Sequence, residues 1–364
     1  MAIVKVIFWA SAGALVWTHA AYPVAARAWA RVRSRPVRRA DGALPTVSLI
    51  VTAHNEEPVI ERRLQNLRAL DYPAGRLELV VTSDASTDRT DELAEAVGAR
   101  VIQNPRGGKV AAQDSAVRQT TSEIVAFSDA NSTWAPDALR MLVRSFADPD
   151  VAYVCGRLNI LGDDGANKEG VYWRYELALR ADESRIDSVT GGNGSIYAVR
   201  REDYVEVDPR FGHDLSFPYL MVQRGRRAVY EPSANAYEKA TPTNEDEYRR
   251  KVRMFEHCWA IVVEGKMLRR LRPLYFVEIV SHRHLRYASG VLHLVLLGST
   301  VALLGQGALY QVALGLQLGL LAAAAAGVGI ARYYVLVTWA TTAALWNYLR
   351  RGVPATWDAP EGTR

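Results

Sequence analysis

From residue 287 to residue 331 the chain runs for 45 residues without an Asp, Glu, Lys or Arg, and residues 6–26 form a second such stretch. A bilayer core is about 30 Å thick and takes about 20 helical residues to cross. The longer stretch therefore has room for two crossings, with Gly305-Gln306-Gly307 placed to turn between them. Arg332 interrupts once, and residues 333–349 are again free of formal charge; they predict either a short span or a helix lying in the interface. The expected plan is one N-terminal transmembrane anchor (1–30) and two or three C-terminal helices (285–349), ending in a tail (350–364).

Arginine sets the expected orientation. Arg27, Arg31, Arg33, Arg35, Arg38 and Arg39 follow the first apolar stretch, with no acid before Asp41. Positive flanks stay cytoplasmic, so the N-terminus is expected outside, the rest of the chain beginning inside, in the cell membrane. A cleaved signal peptide is the competing reading, with Thr18-His19-Ala20-Ala21 as its processing site. Such peptides carry their charge before the apolar run, where only Lys5 stands, and an uncleaved anchor is the better fit. Lys266, Arg269, Arg270 and Arg272 form a second basic cluster ahead of the later apolar stretches. The net charge of +5 thus gathers beside the membrane. Anionic lipid accounts for it, and nucleic acid is not expected as a partner. Two cysteines, Cys155 and Cys258, cannot staple a fold of this size.

Between the basic linker (31–44) and the interface region (251–284) lies a block, 45–250, holding nearly all the acids. Its pattern alternates. Strands are predicted over 47–51, 78–82, 100–102 and 124–128, and helices over 56–70, 88–97 and 109–119. Strands and helices alternating at this spacing predict an α/β fold, a mostly parallel Rossmann-like sheet with helices on both faces. Ligands in such sheets bind beyond the carboxyl ends of the strands. The four predicted strands run into Thr52-Ala-His-Asn-Glu56, Ser83-Asp84, Asn104-Pro-Arg-Gly-Gly-Lys109 and Ser128-Asp129-Ala-Asn131. Asp88 alone is explained as a helix cap, but four polar strand ends in succession place chemistry on one rim. No Gly-x-Gly-x-x-Gly follows the first strand, and Gly107-Gly108-Lys109 is too short for a Walker loop.

The ordered set of Thr52-Ala-His54-Asn-Glu56, Asp84, Gly108-Lys109, Asp129-x-Asn131, Gly191-Gly192-Asn193-Gly194, His213-Asp214 and Arg250-x-x-Arg253 resembles the membrane-bound inverting family 2 glycosyltransferases. That group includes cellulose, chitin, hyaluronan and poly-N-acetylglucosamine synthases. The closing Trp357 to Arg364 is similar to their Trp-x-x-Thr-x-Arg ending, with altered spacing. The resemblance implies a GT-A type fold and transfer of a sugar from a nucleotide-diphosphate donor, expected to be a UDP-sugar, to a saccharide or lipid-linked acceptor. It places Thr52, His54, Glu56 and Asp84 around the nucleoside, Lys109 near the nucleotide, and Asp129 with Asn131 on a divalent metal, Mg²⁺ or Mn²⁺. Asp214 is implied as the catalytic base, and Arg250 and Arg253 as donor-nucleotide contacts, with Arg253 at the pyrophosphate. Gly192, Asn193, Gly194, His213 and Trp173 fall on the acceptor side.

Inverting transfer needs a carboxylate to take the acceptor's proton and cationic groups to neutralise the leaving diphosphate. Three positions depart from the family pattern. Asn131 replaces an acid, so metal binding is expected either to be weaker or to rely more on UDP itself. His213 replaces the acid before the base, where it either tunes Asp214 or serves the helix. Met254 stands where chain-elongating members have a stacking Trp; Trp259, one turn on, either substitutes or anchors the interface. Tyr172-Trp173-Arg174-Tyr175 is read either as an acceptor-side aromatic patch or as packing, and residues 256–271 as an amphipathic, basic interface helix. Two alternatives stand beside this reading: a polyprenyl-phosphate glycosyltransferase, which needs no base, and a non-catalytic nucleotide-binding membrane scaffold.

Overall fold

The computed structural model describes residues 1–42, 44–162, 170–239 and 243–356. Strands β1 (Val47–Ala53), β2 (Leu77–Asp84), β3 (Arg100–Asn104), β4 (Ile124–Asp129), β5 (Thr133–Trp134), β6 (Val151–Leu161), β7 (Tyr197–Arg200) and β8 (Arg227–Lys239) form one sheet. Their order is β3-β2-β1-β4-β7-β6-β8-β5. Val47, Leu49, Ile50 and Val51 of β1 are fully buried, as a central strand covered on both faces requires. Helices Ile60–Arg68 and Ala138–Val143 pack one face through Leu64, Leu67, Leu139 and Leu142. Helices Lys109–Arg118, Val171–Ile186 and His213–Gln223 cover the other through Val117, Leu177, Phe217 and Met221.

The first four strands pair in parallel, as their alternation with helices predicts. The second half differs: β7 runs antiparallel to both β4 and β6, and β5 antiparallel to β8, so the sheet is mixed. Register aligns the rim, with Thr52 opposite Thr82 and Asp129, and Asp84 opposite Asn104.

Helix Ala2–Val32 and helix Ala308–Ala325 are long and apolar enough to cross a membrane, and Pro273–Tyr287 with Ser289–Ala302 form a pair bent by 66°. Gly307, at φ 134°, makes the turn between Ser289–Ala302 and Ala308–Ala325. Residues 333–349 belong to helix Gly329–Arg351, whose second half is fastened to helix Asn244–Glu264. There Trp259 Nε1 donates to Thr341 O (3.0 Å), and Asn347 and Arg351 donate to Glu256 Oε1 (2.7 and 3.0 Å). Trp259 therefore packs between two helices. The amphipathic helix expected over 256–271 is instead Asn244–Glu264. Thr243 caps its start by accepting from Asp246 N, and it ends before Gly265; Lys266 and Arg270 beyond it are left-handed, at φ 52° and 53°. The division at 250/251 thus falls inside a helix.

Part of the basic linker also has a different role from the lipid contact expected of it. Arg35 pairs with Asp150 (2.6 Å) and Asp187 (3.4 Å), and Arg39 with Glu231 (2.7 Å), which also holds Arg144. Glu231 is 1% exposed. A carboxylate buried this far is stable only when paired, so the linker is a strap across the domain.

Candidate active site

The rim is built from β-strand ends and the loops they launch. Asp84 is 2% exposed. Its carboxylate accepts from Gly107 N (2.7 Å), Gly108 N (3.0 Å) and Arg106 Nη1 (2.6 Å), so it clamps the 106–108 loop. Its backbone oxygen lies 2.7 Å from His54 Nδ1. Glu56 N donates to Thr90 Oγ1 (2.8 Å). Thr52 Oγ1 is buried with no partner among the described residues. Two non-glycine residues here, Asn55 and Ala85, are left-handed at φ 54° and 56°, strain of the kind that gathers at ligand sites.

The clamped loop delivers Lys109 as the first residue of its helix, and the ammonium ion-pairs with Asp129. Burial opposes that charge, but Asp129, Asp214 and Glu238 outweigh it and hold the lysine above its ordinary pKa. Behind Asp129 stands Arg63, 2% exposed, stacked over Trp134 at 5.4 Å and donating to Ser128 Oγ (2.5 Å). Burial lowers Arg63 to about 9 against the raising pull of Asp129 and Glu238. Glu238, near the end of β8, takes a hydrogen bond from Ser195 Oγ, which lies 3.4 Å from Asp129 Oδ2. Burial first, and the Asp129 charge second, raise the Glu238 carboxyl.

The loop 191–194 closes the mouth. Gly192 N donates to Asp214 O (2.6 Å), and Asn193 Nδ2 holds Gly156 O (2.6 Å) while its Oδ1 accepts from Ser195 N and Ile196 N. A Cβ on Gly194 would lie 3.1 Å from Lys109 Nζ and 3.6 Å from Asp129 Oδ2, so glycine keeps the space beside the ion pair open. Asp214 lies in the first turn of helix His213–Gln223. His213 points the other way: it is 3% exposed, bonded to Tyr197 Oη (2.9 Å) and stacked on Phe217 at 4.1 Å. Burial, with Lys109 adding to it, lowers its pKa to about 3, so it is a neutral core residue and not an acceptor contact. Trp173 is likewise committed to packing, its indole donating to Leu158 O (3.1 Å).

Arg250 is held by Glu247 (3.0 Å). Arg253 lines a cavity of about 270 Å³ with Glu256, His257, Arg351, Gly352 and Pro354. From that cavity the chain continues to Ala355 and Thr356, which lie against Gly108. Residues 357–364, including Trp357, lie outside the described residues.

The rim therefore brings together Thr52, His54, Asp84, Lys109, Asp129, Gly194 and Asp214. Sequence reasoning missed Glu238, Ser195, Arg63 and the tail contact. Glu238 had a signal: like Asp84 and Asp129, it lies at the carboxyl end of a strand.

Residues 48–207 match the model of the family described as Glycosyl transferase family 2. Beta-monoglucosyldiacylglycerol synthase of Synechocystis sp. is 34% identical over 164 residues, covering 42% of this chain and 33% of that protein. The N-acetylglucosaminyltransferase of Rhizobium meliloti is 31% identical over 217 residues, covering 52% of this chain and 50% of that protein. The chain thus spans a third to a half of these relatives' length. Mannosyltransferase PcManGT from Pyrobaculum calidifontis, solved with GDP-Man and Mn²⁺, shares the fold at a TM-score of 0.76 and 24% identity, over 96% of this chain and 98% of that one.

Proposed function

We propose, from the premise that residues 48–207 are a family 2 glycosyltransferase domain, that this chain is a membrane-integral inverting glycosyltransferase. It moves a sugar from a nucleotide-diphosphate donor to a saccharide or lipid-linked acceptor. The observation that carries the reading is the gathering of Asp129, Asp214 and Glu238 around Lys109 at the mouth of one sheet. UDP is the nucleotide favoured by the resemblance, and the GDP-Man bound by PcManGT makes GDP the second nucleotide to test.

Asp214 takes the proton of the acceptor hydroxyl as that oxygen attacks the anomeric carbon, and the bond from that carbon to the diphosphate breaks on the opposite side. Lys109 meets the charge that develops on the leaving group, and Arg253, which the resemblance assigns to the pyrophosphate, adds to it from the cavity it lines. The donor set beside Lys109 fits a hard divalent cation: oxygen ligands from Asp129 and Asn131, with space kept by Gly194. Mn²⁺ or Mg²⁺ bound there would neutralise the diphosphate. Among the described residues no three His, Cys, Asp or Glu side chains form a complete metal site, so the donor's own oxygens are needed to finish it.

The position of Ala355 and Thr356 against Gly108 puts the C-terminal segment on the catalytic side. With the arginine-rich flank, this supports a cytoplasmic domain and an outside N-terminus. The test is release of UDP or GDP from a panel of nucleotide sugars by detergent-solubilised enzyme with Mn²⁺ or Mg²⁺. Asp214→Asn should abolish release and keep nucleotide binding. Full activity in that variant points to a phosphate acceptor that needs no base. No release from any donor returns the chain to a binding scaffold.

A further inference from the structure

We propose that Glu238 supplies the second carboxylate of the divalent-cation site, in place of the charge that Asn131 lacks; this rests on the donor reading above. Asp129 and Asn131 stand at the end of β4 and just beyond it, two residues apart. Glu238 is more than a hundred residues further along the chain, yet strand pairing brings it to the same turn. β5 begins two residues after Asn131, and its Thr133 is paired with Tyr237 of β8. Glu238, the next residue, is therefore fixed by backbone register beside the 129–133 turn.

The side chains agree with the register. One hydroxyl, Ser195 Oγ, donates to Glu238 Oε1 and lies 3.4 Å from Asp129 Oδ2, so the two carboxylates share one small space. The cations now facing them are the Lys109 ammonium, bonded to Asp129 Oδ1, and the buried Arg63 behind Asp129. Arg250, whose charge opposes the rise of the Glu238 carboxyl more than that of Lys109 does, directs its Nε and Nη2 to Glu247 at 3.0 and 3.3 Å. Mg²⁺ and Mn²⁺ favour carboxylate oxygens. Asp129 with a neutral Asn131 offers one negative charge, whereas Asp129 with Glu238 offers two, matched to a divalent ion once Lys109 turns to the diphosphate.

The alternative is that Glu238 only buttresses Ser195. The two roles separate in a Mn²⁺ titration read by electron paramagnetic resonance of the free ion, on full-length protein with UDP and again with GDP. For a ligand, Glu238→Gln weakens Mn²⁺ uptake by at least about tenfold, and adding Asn131→Asp to that variant recovers most of the loss. Glu238→Cys provides a check independent of Mn²⁺ affinity: with Cd²⁺ and nucleotide it should show the thiolate-to-cadmium charge-transfer absorption, absent in wild type. Mn²⁺ affinity within twofold of wild type in Glu238→Gln, or no such band in a folded Glu238→Cys, overturns the assignment. Wild-type protein that binds nucleotide but no Mn²⁺ overturns it while leaving the donor reading intact. Protein that binds neither nucleotide removes both.

Discussion

Gly108→Ala tests whether the donor loop works as its geometry implies. At φ 88° and ψ 168° Gly108 lies in a region populated essentially by glycine alone, where a side chain costs about 1–3 kcal/mol. Its Cβ would also press into the carbonyl oxygen of Ala355. Alanine leaves two escapes. The loop can turn to negative φ, drawing the N–H groups of Gly107 and Gly108 off the Asp84 carboxylate, where each bond to a charged partner is worth about 1.5–3 kcal/mol net. Or the tail at Ala355 can lift away from the loop. The first also swings Lys109, the next residue, away from Asp129. Affinity for UDP or GDP, measured calorimetrically with Mn²⁺ present, should fall about tenfold to a hundredfold, equivalent to about 1.4–2.8 kcal/mol. Gly107→Ala is the control, since its Cβ would meet only Ala111 Cβ at 3.2 Å and Pro105 O at 3.7 Å; its affinity should stay within about threefold. Nucleotide binding by Gly108→Ala within twofold of wild type would refute the reasoning, because neither the strain nor the clamp could then matter to the donor.

Further outcomes follow from buried charge. His213 is held at about 3 against its usual 6.5 by burial; the unfolded chain takes up a proton there that the native state refuses, so this stability is complete above pH 6.5 and lost as pH falls. Melting temperatures between pH 7 and 4 should fall less steeply for His213→Phe, which keeps the stack on Phe217, and equal slopes would count against a buried neutral histidine. Asp114 acts in the opposite sense, lifted by burial to about 6 despite the hydrogen bond from Tyr204. Its native pKa exceeds the unfolded value, so Asp114→Asn should gain on wild type as pH rises through about 6. Arg39→Ala should lower stability by about 1 kcal/mol, discounted for the exposure of the arginine, and leave partition into anionic vesicles unchanged; the reverse pattern would restore a lipid-facing linker. Thr356→Cys in sealed vesicles should react with an impermeant maleimide from the same side as Glu61→Cys, and labelling from opposite sides would separate the tail from the catalytic block.

What the chain discloses by itself follows the range over which its signals act. Period and charge are local, so the four parallel strands, their helices and the apolar stretches were legible, and with them Asp84, Lys109 and Asp129. Pairing between distant segments leaves no such trace: β7 sits antiparallel between two halves of the sheet, and β8 finds β5 across about a hundred residues. Neighbours in sequence misled in the same way. His213 and Asp214 are adjacent, but successive helical residues point about 100° apart, and one faces the mouth while the other fills an aromatic core. The linker arginines show the same limit for charge, since counting them cannot say that Arg35 and Arg39 meet Asp150, Asp187 and Glu231. The most consequential instance is at the cation site. Read along the chain, Asn131 leaves the motif one charge short; read across the sheet, Glu238 returns that charge from β8. A site judged from its contiguous motif alone would be read as a weakened version of the pattern it resembles, whereas the proposed site divides its charge between near and far strands.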